Sequence, residues 1–101
     1  MAKIDKKYLE NLYRAIVSLD NVNECASFLD DICTIQELEA ISQRLEVARL
    51  LHQGKNYIDI NKLTGASTAT ICRVSKCLSY GDGGYKIVIQ RLEEAGENDE
   101  V

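Results

Sequence analysis

Between Leu63 and Lys76 the chain reads LTGASTATICRVSK, joining a glycine, a run of small hydroxylated residues, and two cations, Arg73 and Lys76, one helical turn apart. Small side chains at the start of a helix let its backbone approach base edges in the DNA major groove. Hydroxyls and unpaired backbone N–H groups at the same end suit phosphate oxygens. Ser67, Thr68, Ala69, Cys72, Arg73 and Lys76 fall on one outward face at helical spacing, with Thr70 beside them. Lys62 and Lys55 stand upstream, where they reach phosphates on the flanks. These residues are the candidate DNA-binding set. The plainer reading of the same stretch is a helical hairpin whose glycine ends one helix and whose small residues only pack.

A helix-turn-helix presents such a face when two helices meet steeply over a short turn. The turn needs a residue tolerant of positive φ, and Gly65 stands there. Ile60, Leu63, Ala66, Ile71 and Val74 supply apolar anchors before and after it. Four residues before the glycine, where the helices cross, a small residue is usual. Asn61 departs from that pattern.

The net charge of -4 conceals the distribution of charge. Residues 54–80 carry Lys55, Lys62, Arg73 and Lys76 against Asp59, whereas residues 20–53 and 90–101 are acidic. An acidic total governs solubility and leaves room for a polyanion site on one face.

The elements that position this stretch read as helices throughout. With 101 residues, no Pro, no Trp, 46% hydrophobic and 28% charged residues, the chain predicts one compact all-α domain over 1–94, its helix-turn-helix at about 57–78. The acidic segment 95–101 reads as a frayed tail. A first helix is expected over Lys6–Leu19, with Leu9, Leu12, Tyr13, Ile16 and Leu19 inward. A second carries Cys25, Phe28, Leu29 and Ile32 on one stripe. Thr34 and Glu37 form a capping box for a long third helix. There Ile35, Leu38, Ile41, Leu45, Ala48 and Leu51 or His52 recur at helical spacing. Val47 and Leu50 widen its apolar surface, so the helix calls for a partner chain. Gly54 ends it in a left-handed cap. A fourth helix over Asn56–Thr64 turns Ile60 and Leu63 inward, and Ser67 caps a fifth that runs to about Leu78. After a GDGG loop over 81–84, a last helix over Tyr85–Glu94 is anchored by Ile87, Val88 or Ile89, and Leu92.

The N-terminus is charged and amphipathic, unlike a secretory signal or a membrane span. Cys25, Cys33, Cys72 and Cys77 fit no close-paired zinc pattern and read as reduced, mostly buried thiols of a cytoplasmic protein. His52 has no companion ligands, so no metal site is assigned. No nucleophile–base set or phosphate loop is present, so no enzymatic activity is expected.

The segment TIQELEAISQRLEVARLLHQGKNYIDINKLTGASTATICRVSKCL, residues 34–78, resembles the Trp repressor superfamily, specifically its Trp-repressor-related YerC/YecD branch. The turn and recognition helix also resemble the headpiece of LacI-type repressors. The resemblance implies a six-helix all-α fold and an intertwined homodimer formed through the N-terminal and long central helices. It further implies transcriptional regulation, repression in the first place, by two recognition helices on operator DNA, about 34 Å apart. In the Trp repressor proper, tryptophan lies between two arginines and beside a threonine, which match Arg44, Arg73 and Thr34 here. Val74 replaces the glycine after the second arginine, position 72 is Cys, and the segment between Gly54 and Gly65 is one residue shorter. No tryptophan corepressor and no other cofactor are therefore expected, although another small aromatic or anionic effector stays open at the arginine pair. Arg44 has a structural alternative, an ion pair with Glu37 or Glu46; Arg73 has another, a contact with DNA. A second function is also open, a protein-interaction adaptor that keeps the fold without DNA binding. Asn61 and the negative total charge favour it, with the acidic residues 20–46 and the acidic tail as the partner surface.

Overall fold

The computed structural model describes residues 3–96. Six α-helices run through them: α1 (Lys6–Val17), α2 (Val22–Ile32), α3 (Ile35–His52), α4 (Tyr57–Thr64), α5 (Thr68–Tyr80) and α6 (Gly84–Glu94). No strand occurs among the described residues. Of the expected tail over 95–101, residues 97–101 lie outside them.

Short polar side chains decide where most of these helices begin. The carboxylate of Asp5 accepts from the Lys7 N–H at 2.8 Å, and the amide oxygens of Asn21 and Asn56 accept from Glu24 and Asp59 N–H at 2.9 and 2.8 Å. Each satisfies a donor that the first turn leaves without an intrahelical partner. The capping box at α3 is complete. Thr34 Oγ1 accepts from the Glu37 N–H at 3.1 Å while Glu37 Oε1 accepts from the Thr34 N–H at 2.8 Å. At its other end Gly54 takes φ +87°. The Gly54 N–H bonds the Leu51 carbonyl and the Lys55 N–H bonds the Leu50 carbonyl, both at 3.0 Å, which makes a Schellman cap.

Two compact units divide the chain, Met1–Leu38 and Glu39–Val101. In the second, Val47, Ala48 and Leu50 from α3 pack with Ile60 of α4, Ala66 of the turn, Ile71 and Val74 of α5, and Ile89 of α6. Leu51, Leu78 and Tyr85 close its margin. Ile60 and Ile71 are fully buried, and each such side chain contributes about 1.5–3 kcal/mol relative to exposure. No residue among the described part of the first unit is buried.

Several expected anchors point elsewhere. Leu63, expected inward, is 66% exposed. Ile60 already fills the core side of the eight-residue α4, and Leu63 lies instead in a surface groove beside Glu39 and Gln43. Tyr13, Ile16, Ile32 and Ile35 are exposed because α1, α2 and the start of α3 have no apolar layer over them within their own unit, and Ile41 is exposed at the margin of a cavity in the second unit. Along α3 the burden passes to Val47, Ala48 and Leu50, and His52 is exposed. On α6 Ile89 takes the inward position, leaving Ile87 and Val88 at the surface. The cysteines are not buried: Cys25 and Cys33 are half-exposed and Cys72 and Cys77 exposed, all as free thiols. Cys72 and Cys77 fall beside the core stripe of Ile71 and Val74 on α5 and not on it. Helix ends shift by small amounts: α1 stops at Val17, α5 runs on to Tyr80, and Gly84 already belongs to α6.

Candidate nucleic-acid interface

The turn between α4 and α5 is bonded at nearly every step. Gly65 adopts φ +74°, and its N–H donates to the Asn61 carbonyl at 2.8 Å. Any other L-residue would be strained there. The side chain of Asn61 reaches across the turn, its Nδ2 donating to the Ala66 carbonyl at 2.8 Å. Thr64 Oγ1 donates to the Ile60 carbonyl at 2.7 Å and accepts from the Ala66 N–H at 3.1 Å. From α3, Gln43 Nε2 donates to the Thr64 carbonyl at 3.1 Å. The departure at Asn61 thus has a local reason: the amide closes the turn that it would otherwise crowd.

Beyond the turn, Ser67 Oγ accepts from the Thr70 N–H at 3.1 Å and starts α5. The helix divides cleanly into two faces. Ile71 and Val74 enter the core, while Ser67, Thr68, Ala69, Cys72, Arg73 and Lys76 are exposed. Thr70 differs from its neighbours, being half-buried with its hydroxyl 3.2 Å from Ser67 Oγ. Lys55 and Lys62 are also exposed. Among the described residues none of Lys55, Lys62, Arg73 and Lys76 has an ion pair or side-chain hydrogen bond. Small residues at the N-terminal end of an exposed helix, with unpaired cations along it, form a surface able to meet a polyanion closely.

The residues of the second constellation, Thr34, Arg44 and Arg73, are drawn from both units. Thr34 belongs to the first unit, where its hydroxyl is committed to the capping box. Arg44, on α3, lines a cavity of about 610 Å³ with Ile41, Leu45, Cys77, Tyr85, Val88 and the 81–84 loop. Arg73 is not part of that lining, and Val74 lies in the core instead of obstructing it. The expected pairing of Arg44 with Glu37 or Glu46 does not occur. Glu37 caps α3, Glu46 bonds Arg49 at 3.2 Å, and Arg44 is half-buried with no ion pair among the described residues. His52 Nε2 instead meets Glu93 Oε2 at 3.5 Å. No group of metal-ligating residues assembles among the described residues. Nor is any described helix long and apolar enough to cross a membrane.

Reading residue types alone missed Gln43 and Thr64 because their roles are tertiary. A glutamine on a helix carries no signal of its target 21 positions away. The cavity was equally hidden, since GDGG reads as a hinge.

A six-helix all-α chain whose fourth and fifth helices flank a left-handed glycine turn is a helix-turn-helix protein of the Trp repressor type. The family described as Trp repressor protein matches residues 7–93, and the chain belongs to it. It is 48% identical over 92 residues to the uncharacterized protein YerC of Bacillus subtilis, a match spanning 91% of this chain and 88% of that one. Among solved structures, a Trp repressor candidate from Staphylococcus aureus superposes with TM-score 0.84 at 42% identity, over 88% of this chain and 89% of the other. A TrpR-like protein from Eubacterium eligens gives TM-score 0.83 at 46% identity, over 87% and 91%.

Proposed function

We propose that this chain is a sequence-specific DNA-binding transcriptional regulator, acting as a homodimer and repressing by occupying operator DNA. The observation that carries the reading is the split of α5 into a buried stripe, Ile71 and Val74, and an exposed face with unpaired Arg73 and Lys76. Family membership over residues 7–93 supports the same reading. Ser67, Thr68 and Ala69 are the residues that would approach bases; Lys55, Lys62 and Lys76 would meet phosphates and fix the register. Cys72 and Arg73 lie between the two groups.

The test is selection of fragments from a random DNA pool by the purified protein, followed by titration across salt concentrations. A palindromic consensus is expected, with affinity falling steeply as salt rises because phosphate contacts release counterions. Replacing Arg73 and Lys76 together by Ala is expected to lower affinity at least tenfold without lowering the melting temperature, since neither side chain packs in the core. Unaltered affinity in that variant, or a pool that yields no fragment at low salt, sinks the reading. The second outcome would favour the adaptor alternative, with the acidic segment 20–46 as its surface.

Arg44 supports a subsidiary reading. A half-buried guanidinium with no ion pair, beside the apolar side chains of Ile41, Leu45 and Tyr85, suits a small anionic or aromatic effector. Equilibrium dialysis of the protein against aromatic carboxylates checks it. Binding that survives Arg44→Ala would remove Arg44 from that role.

A further inference from the structure

The face that reads a groove is only as accurate as the angle at which it is held. In this chain the first residues of α5 are not held by packing alone. Ala66, the residue that leads into the helix, has both of its backbone polar groups bonded to side chains: its N–H to Thr64 Oγ1 and its carbonyl to Asn61 Nδ2. Thr64 is fixed in turn from two directions, by the Ile60 carbonyl below and by Gln43 of α3 from outside the helix pair. Gln43 and Thr64 are half-buried and Ala66 is fully buried, so water competes less for the bonds between them, while Asn61 reaches the Ala66 carbonyl from an exposed position. Each link is directional, and a rotation of α5 that carried Ala66 with it would break both of Ala66's bonds while Gln43 and Ile60 hold Thr64 in place.

We propose that Gln43, Asn61 and Thr64 form a polar clamp that sets the presentation angle of α5, with Gln43 as the positioning residue that couples the turn to the long helix α3. The proposal rests on the DNA-reading function assigned to α5 above. It assigns Asn61 a purpose in that function, where a bulky amide at the helix crossing had weighed against it. Gln43 touches no DNA in this scheme. It acts through the Thr64 carbonyl, which is why its effect falls on discrimination between sites and not on general attraction to phosphate.

The experiment uses the full chain and three forms of it: the parent, Gln43→Met and Gln43→Glu. Methionine keeps the length and removes the donor; glutamate keeps the shape and turns an oxygen toward the Thr64 carbonyl. Affinity is measured for the fragment selected by the parent and for random-sequence DNA at one salt concentration, beside melting temperature and hydrogen exchange at the Gly65 and Ala66 amides. The expected result is about a fivefold to tenfold loss in the ratio of specific to non-specific affinity for Gln43→Met and a larger loss for Gln43→Glu. Exchange at Ala66 is expected to quicken, while the melting temperature of Gln43→Met stays within a few degrees of the parent. An unchanged ratio overturns the proposal, as does a ratio that falls only in step with melting temperature. If the parent itself discriminates no DNA, the reading of α5 fails. In that case unchanged exchange at Ala66 overturns the clamp separately, and quickened exchange upholds it as a brace of the turn.

Discussion

Residues 39–96 enclose a core, and residues 3–38 present apolar side chains with nothing of their own unit over them. The first region buries side chains from four helices and the turn. In the second, Tyr8 is 74% exposed, Val17 83% and Val22 78%. Yet both regions begin their helices with the same devices: Asp5, Asn21 and Thr34 cap in one, Asn56 and Ser67 in the other. Five of the six described helices are therefore started by a local side-chain cap, α6 from Gly83 being the exception, while burial is solved internally in only one region. Helices of 12 and 11 residues such as α1 and α2 are marginal by themselves and need their apolar stripe covered. The proposed homodimer would supply that cover with a second copy of the same stripe.

The largest effect is expected where the core is closed. Ile71→Ala removes three carbons from a fully buried site and is expected to cost about 3–4 kcal/mol in urea unfolding. Val17→Ala, at an exposed site, is expected to stay within about 0.5 kcal/mol when measured well below the concentration of assembly. Equal costs at the two positions would erase the contrast between the regions.

Next in size is the test of what covers the open region. Replacing Tyr13 and Ile16 together by Asp places charges on the exposed apolar stripe of α1. Aromatic side chains carry much of the energy of such contacts, so a loss of about 2 kcal/mol, roughly 30-fold in dissociation constant, is expected. Sedimentation over a dilution series reads it directly. Identical mass at every dilution in parent and variant would mean that this surface is not where copies meet.

The same contrast explains what could be read from the residues in advance. Caps, the Gly65 turn, the Gly54 stop and the outward face of α5 were legible because each depends on residue type over a few neighbouring positions. The inward residues were legible only where a core exists. Ile60, Ala66, Ile71 and Val74 sit as their spacing requires, whereas Tyr13, Ile16, Ile32 and Ile41 follow an equally good pattern and remain exposed. Helical periodicity identifies a stripe but not whether the chain itself covers it. For the candidate site, the outward cations were visible and the clamp was not. Gln43 and Thr64 meet through a bond between a helix and a distant turn, which no local pattern encodes.

The smallest effects come from the caps, and they sharpen the comparison because the chemistry is matched. Thr34→Ala and Ser67→Ala each delete one hydroxyl that accepts a backbone N–H at 3.1 Å. Each is expected to cost about 1 kcal/mol of stability. Their consequences for DNA should nevertheless differ. Ser67 opens the helix whose first turn carries Thr68 and Ala69, so fraying there blurs the proposed reading surface itself. Thr34 opens a helix whose first turns are exposed and whose core-bearing residues begin only at Val47. At matched fraction folded, Ser67→Ala is expected to weaken specific DNA binding severalfold and Thr34→Ala to leave it within twofold, both measured by fluorescence anisotropy. Equal losses from the two variants would mean that cap stability alone governs binding, and the separation of a reading region from an assembly region would fail.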